Sequence, residues 1–454
     1  MITTINPQNG QKIRDFEEHT YEEVSSIIQK AVEAQKTWAN TELQVRKQNI
    51  EKVALLLRQK KVQLAELMAL EMGKPIAQGE GEIEKCAWLC EHYIENVDTY
   101  LADISIETDA GKSYVSFQPM GVVLSIMPWN FPFWQLMRFG IPALLAGNGV
   151  ILKHAEGTTG CALAIEEMMH EAGIPSDLFC TIVVDKSKMK AVIQHPGIAA
   201  VTFTGSTRAG KIIAAQAGEM LKKTVLELGG SDPYLILEDA DIVQAAQTCA
   251  TSRLINTGQS CVAAKRFIVV EKVYDQFMDA FKKELQSKTI GNPFEQGVDL
   301  GPMARGDLRD ELHRQVIESV KAGATLEFGG EVPESKGAFY PVTLLTGVYK
   351  GMPAYDEELF GPVAAVVKVK DEIEAITVAN DTDYGLGAAV FSNDVKRAEH
   401  IAATKLAAGC CFVNSMVKSD PRVPFGGVKN SGYGRELGEF GIREFVNIKT
   451  VWVD

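Results

Sequence analysis

Cys261, in the run NTGQSCVAAKR, is a thiol set among Gly258, Gln259 and Ser260 just past an apolar segment. A cysteine in such a turn is better placed to react than one filling a core. A free thiol with a pKa of ~8.5 is only a few per cent thiolate at neutral pH, so it needs help from its surroundings. Glu227, in VLELGG, supplies a carboxylate able to accept a proton; its plainer role would be a strand-end residue tied to backbone. Asn130, in LSIMPWNFPFW, follows a strand-like apolar run within a Pro-flanked aromatic break, where a buried amide can donate to a developing oxyanion. No histidine is near Cys261 in the chain, so a Cys-His pair would need His154, His170 or His195 brought in by the fold.

These residues need strands and helices to hold them. Between Gly121 and Gly230 the runs GVVLSIM, GVILK, IAAVTFTG and TVLELGG alternate with helical stretches. Continuous apolar strands between helices imply βαβ units and a parallel sheet, whose ligands sit at the carboxyl ends of its strands. Asn130, Lys153, Gly205 and Glu227 each stand just after one of these runs. Before them, Tyr21 to Leu101 reads as amphipathic helices, with Ile50, Val53, Leu57, Leu64, Leu67 and Met68 at helical steps. After Gly230 the alternation restarts with YLIL, RFIVV, VAAVVKV, AAVF and CFVN, a second α/β unit. Residues 105–119 read as a strand or hairpin leaving the main body, and the tail EFGIREFVNIKTVWV as a terminal strand seeking an edge.

The 454 residues exceed a usual single core, so more than one domain is expected. A net charge of −13 argues against nucleic acid or an anionic membrane as the main partner. The eight cysteines show no disulfide framework, no secretory leader is read at the N-terminus, and no apolar run reaches membrane-spanning length, so a cytoplasmic protein is expected. Cys86 and Cys90 are one helical turn apart but lack a second ligand pair, so no metal site is expected.

FTGSTRAGKI fits a phosphate loop as far as Gly205, Gly210 and Lys211, but Ile212 stands where a metal-binding Ser or Thr is required, which excludes the phosphotransferase reading. What remains is a Gly205-Ser206 turn opening a helix whose free N–H groups can hold a pyrophosphate. Glu156, in KHAEGTTG, would most simply cap the helix that follows it.

The ordered motifs PWNFP, FTGST, ELGG, GQSC, EELFGP and PFGGVKNSGYGRE resemble the aldehyde dehydrogenase superfamily over essentially the whole chain. KHAE, KKTVLELGGSDPYLIL, QSCVAAKRF and LGPMARGDLRDELH are similar to its short succinate-semialdehyde dehydrogenase branch. The resemblance implies two parallel-sheet α/β domains plus a small bridging β element. Residues 1–100 and 120–229 would bind the cofactor, 230–435 would carry the catalytic domain, and 101–119 with 436–454 would bridge subunits of a homodimer or homotetramer, the tail strand pairing with 105–119 in the oligomer. It makes Cys261 the nucleophile toward an aldehyde, Asn130 with the Cys261 N–H the oxyanion donors, and Glu227 the base that hydrolyses the thioester. Branches passing the acyl group to coenzyme A lack that carboxylate, so a free acid is the expected product.

For the cofactor, the resemblance implies Trp129, Lys153, Glu156, Gly205, Ser206, Leu228, Glu358 and Phe360. Glu156 beside the adenosine ribose would favour NAD over NADP, with NADP still possible. For the distal carboxylate of a semialdehyde acid the candidates are Arg138, Ser419 and Arg422; the arginine pair of the longer branch falls on Met137 and Ile255 and is not present. A broad aliphatic or aromatic aldehyde oxidiser, and a non-catalytic binding protein on the same fold, are the alternatives.

Overall fold

The computed structural model describes residues 1–334 and 336–454. Helices Tyr21–Ala39, Leu43–Gln59, Lys61–Met72 and Ile76–Tyr100 form where the apolar spacing predicts them. Thr20 and Glu23 close a reciprocal capping box on the first, and the apolar faces of the others bury Ile50, Val53, Leu57, Leu64 and Met68.

A six-stranded sheet follows, ordered Gly432–Tyr433, Lys223–Glu227, Ile198–Thr204, Val122–Met127, Gly149–His154, Phe179–Thr181. All pair in parallel except Gly432–Tyr433. The strand order reverses about Val122–Met127, and a doubly wound sheet opens its ligand crevice at the carboxyl ends beside such a reversal. Pro128 to Asn130 leave one side of that crevice and Gly205 to Ser206 the other.

The second sheet has seven strands, ordered Thr325–Phe328, Thr343–Thr346, Val363–Val369, Arg266–Val270, Pro233–Ile236, Gly387–Phe391, Cys410–Val413, with Thr325–Phe328 alone antiparallel. Here Cys261, Glu358 and Phe360 precede their strands. Carboxyl ends of the first sheet thus face amino ends of the second across one cleft.

Strand Val446–Val453 pairs antiparallel with Lys112–Pro119 in the same chain, from Val446 opposite Pro119 to Val453 opposite Lys112, and Ile104–Ser105 adds a third strand. The pairing expected between subunits is therefore intramolecular, because helix Gly438–Arg443 packs on helix Trp134–Leu145 and delivers the tail there. Two features had no counterpart in the sequence reading. The hairpin Ile2–Ile5 with Lys12–Phe16 lies beside the first sheet's cleft, and Gly432–Tyr433 sends a strand from the late chain onto Leu226 and Glu227. Gly432 has φ +110°, and a Cβ there would run into the Leu226 carbonyl.

Arg266 ties the second sheet to helix Glu372–Asn380. Its guanidinium donates to the carbonyls of Val378 (2.9 Å), Ala379 (3.0 Å) and Ser231 (3.3 Å) from a buried position. Arg266→Leu strands those acceptors and is expected to cost about 3 kcal/mol. A lowered thermal unfolding midpoint would show it, and an unchanged midpoint would contradict this reading of Arg266.

Candidate active site

The turn that presents Cys261 is strained. Asn256 (φ 53°), Thr257 (φ 56°) and Gly258 (φ 73°) are successive left-handed residues, and the two non-glycine ones cost of order 1 kcal/mol each. Its surroundings over-determine it. The Gln78 side-chain oxygen accepts from the Asn256 N–H at 2.8 Å, and Arg253 donates to the Gly258 carbonyl at 2.6 Å. A Cβ on Gly258 would meet the backbone of Gly361, so the turn can lie flat on the EELFGP loop. Lys265 Nζ donates to the carbonyls of Cys261 (2.7 Å), Ser260 (3.0 Å) and Ala263 (3.2 Å) and pairs with Glu358 at 3.5 Å. The Cys261 loop is thereby clamped.

Asn130 comes from the other sheet. Its Nδ2 donates to the Gln259 carbonyl at 3.0 Å, while Asn256 Nδ2 donates to the Asn130 carbonyl at 2.8 Å. An amide nitrogen carries two N–H bonds, so Asn130 keeps one donor free for an oxyanion at Cys261. Glu227 is buried, and neither of its carboxyl oxygens has a hydrogen-bond partner among the described residues. Burial pushes its carboxyl well above the usual carboxylate range, against the pull of Arg138 and with the repulsion of Glu436. Gly426 abuts it, where a side chain would fill the space at its oxygen. Burial likewise pushes the Cys261 thiol up to about 12, with Arg138 and Lys265 pulling the other way. Burial thus disfavours the charged form of each group. Each gains reactivity when it loses its proton.

Three cavities join end to end at these residues. A cleft of about 1040 Å³ runs along the first sheet's carboxyl ends past Lys153, Glu156, Gly205 and Ser206. A cavity of about 250 Å³, lined by Trp129, Asn130, Glu227, Leu228, Glu358 and Phe360 as well as Cys261, continues it, sharing Gly205 and Ser206. A third, of about 300 Å³, shares Cys261 and is lined among others by Lys85, Trp134 and Ser419. The sequence-derived candidate residues Asn130, Lys153, Glu156, Gly205, Ser206, Glu227, Leu228, Cys261, Glu358 and Phe360 thus line adjoining cavities.

The long cleft fits a dinucleotide. Lys153 is buried there with no acceptor among the described residues, and the helix Thr207–Gly218 opens toward it, with Ser206 capping its first turn by accepting from the Ala209 N–H. Trp129 and Phe360 stand edge to face at 5.8 Å in the central cavity and line it with apolar aromatic surface.

The proposed carboxylate anchors fare differently. Arg138 lines the third cavity, but its guanidinium is in a buried ion pair with Glu436 and donates to Thr204 at 3.3 Å. Arg422 does not line the cavity; it is exposed, pairs with Asp420 at 2.7 Å and lies over Trp88. Ser419 lines the cavity and accepts from Trp134 Nε1 at 2.9 Å. Residues that the sequence reading passed over include Gln78, Asn256, Lys265, Glu436 and Lys85. Asn256, Lys265 and Glu436 lie inside recognisable motifs or next to them; Gln78 and Lys85 look like two polar residues among many on an amphipathic helix. None of the histidines considered as a base reaches Cys261: His154 contacts Pro132 and Thr158, His170 the Phe179 carbonyl, and His195 Ser25.

A thiol held so far above neutrality should alkylate slowly, and faster as pH rises. Iodoacetamide inactivation of the free enzyme is expected to accelerate about tenfold per pH unit between pH 7 and 9. A rate that is already flat above pH 7 would mean a preformed thiolate.

Residues 1–451 match the sequence model of the aldehyde dehydrogenase family. The chain is 44% identical over 452 residues to a probable succinate-semialdehyde dehydrogenase [NADP(+)] of Synechocystis sp., covering 100% of this chain and 99% of that one. It is 42% identical over 451 residues to a succinate semialdehyde dehydrogenase [NAD(P)+] of Escherichia coli, covering 99% and 97%. Among solved structures, the succinic semialdehyde dehydrogenase of Streptococcus pyogenes, in complex with NADP+, superposes with a TM-score of 0.97 at 37% identity, covering 100% of both chains. With the family's sequence model spanning the chain, relatives this similar over its full length, and a matching fold, the protein belongs to the aldehyde dehydrogenase family.

Proposed function

We propose that the chain oxidises succinic semialdehyde to succinate, with Cys261 as nucleophile. The observation that carries this is the position of Cys261 where two cavities meet, within reach of both Asn130 and Glu227. The aldehyde carbon enters through the cavity beyond Cys261, the thiol proton passes to solvent water, and the sulfur adds to the carbonyl carbon. The resulting oxyanion is held by the free Asn130 N–H and the Cys261 backbone N–H. Lys153 and the Gly205-Ser206 turn would hold a nicotinamide dinucleotide in the long cleft, which would supply the acceptor for the hydride on that carbon. Cys261 then holds a thioester. Glu227, made strongly basic by burial, takes a proton from water as it attacks and releases the acid. Its carboxylate favours water over coenzyme A as the acyl acceptor.

For the cofactor, Lys153 and Glu156 line the cleft where the adenosine ribose is expected, and Glu156 favours NAD by repelling a 2′-phosphate. The relatives named above carry NADP(+) or NAD(P)+ in their names, so NADP is a second acceptor. Residues 1–100 and 120–229 act as the cofactor domain, 230–435 as the catalytic domain, and 101–119 with 436–454 as the bridging element. Exposed Ile448, Trp452 and Val453 on the terminal strand suit that element to a dimer or tetramer contact. No described helix is long and apolar enough to cross a membrane, and all eight cysteines are free thiols, which suits a reducing cytoplasm. A second reading, a broad aldehyde oxidiser, is favoured by the apolar stretch of the third cavity at Phe131, Val262 and Phe425.

Turnover of succinic semialdehyde, butanal and benzaldehyde with NAD and NADP tests the assignment. The acid-bearing aldehyde should give the highest kcat/KM, and Cys261→Ala should be inactive; equal use of butanal would favour the broad oxidiser. Glu156→Ser should shift the NAD to NADP ratio of kcat/KM toward NADP, and an unchanged ratio would remove Glu156 from cofactor choice. Light scattering that shows a monomer would overturn the oligomer.

A further inference from the structure

Helix Ile76–Tyr100 turns one face, Gln78, Gly81, Glu82 and Lys85, toward the cavity beyond Cys261. The buried charges that meet there are already matched, and among the part-buried ones Lys85 is not. Glu82 pairs with Lys74 and accepts the N–H groups of Phe133 and Trp134, each at 2.9 Å. Arg138 pairs with Glu436, and Asp420 is taken by Arg422. Lys418 is exposed at the mouth. Lys85 is part-buried in the wall and forms no ion pair among the described residues. Its ammonium lies 3.9 Å from the centre of the Trp134 ring and donates to Ser419 Oγ at 3.0 Å.

Ser419 Oγ also accepts from Trp134 Nε1. A hydroxyl has two lone pairs and one proton, so with both lone pairs engaged its O–H is left to donate. Lys85 has N–H bonds to spare as well. This part of the cavity wall therefore presents converging donors and a positive charge with no ion-pair partner among the described residues, which is the complement of a carboxylate.

We propose that Lys85, with Ser419, anchors the distal carboxylate of a short ω-oxo acid whose aldehyde carbon sits at Cys261. This rests on the substrate reading above and gives it a residue that the family motifs do not supply. Burial pushes the Lys85 amine down to about 8, only partly offset by Glu82 and Asp420, and an incoming carboxylate relieves that cost.

The test compares kcat/KM for succinic semialdehyde with that for its methyl ester, which has the same chain with the charge masked. Wild-type enzyme should favour the acid. Lys85→Met should cut the acid-to-ester ratio at least about tenfold, through KM for the acid, and Lys85→Arg should restore much of it. Ser419→Ala keeps the cation and should lower the ratio by less; it decides the matter if Lys85→Met does not fold. A wild-type enzyme with no preference for the acid would overturn the substrate reading and the anchor together. A wild-type preference that survives in Lys85→Met, or in Ser419→Ala where that variant has to decide, would overturn the anchor alone.

Discussion

A buried knot of amide hydrogen bonds holds the two sheets in catalytic register. Asn256 donates to the carbonyls of Asn130 and Gln259, and Asn130 donates to Gln259 in turn. Asn130 belongs to the crevice of the first sheet, Asn256 and Gln259 to the loop before a strand of the second. Each bond joins buried groups that would be costly to leave unpaired, so the knot resists sliding of one sheet against the other. The left-handed turn at Asn256 and Thr257 is the strain that the knot, Gln78 and Arg253 together sustain. Cys261 is placed by what surrounds it.

Around that knot the electrostatics follow from exclusion of water. Glu227 and Cys261 are both displaced toward their neutral forms, and the nearby cations temper this without reversing it. Arg138 is the pivotal cation, pulling on both groups while paired to Glu436. Its charge is thereby assigned to the reaction centre, which leaves the far end of the substrate cavity to another cation. The same burial that slows ionisation makes Glu227 a strong base once ionised, as hydrolysis of a thioester requires.

Much of this was legible in the residues. The apolar runs named the parallel strands, and their carboxyl ends marked Asn130, Lys153, Gly205 and Glu227 before any coordinates. Cys261 was legible from its polar, glycine-bearing turn, although its place at the amino end of a strand was not, because that depends on how two sheets face each other. Pairing defeated other readings. Arg138 and Arg422 carry the right charge for a carboxylate, but Glu436 and Asp420, which take them up, lie at distances in sequence or in contexts that spacing does not reveal. Lys85 was invisible for the converse reason: a lysine on a charged amphipathic helix looks solvated until its neighbours are seen to leave it without an acid. The two-residue strand Gly432–Tyr433 and the N-terminal hairpin are too short for periodicity to announce them.

The central claim is the division of labour between Cys261, which carries the acyl group, and Glu227, which releases it. Single-turnover and steady-state NADH formation in Glu227→Gln separates the two steps, because the amide keeps the shape of the site and removes the base. The account predicts a burst approaching one NADH per active site, followed by steady turnover at least about a hundredfold below wild type, with a hydroxylamine-sensitive acyl group on Cys261. Steady turnover near the wild-type rate, or loss of the burst together with turnover while the cofactor still binds, would contradict it.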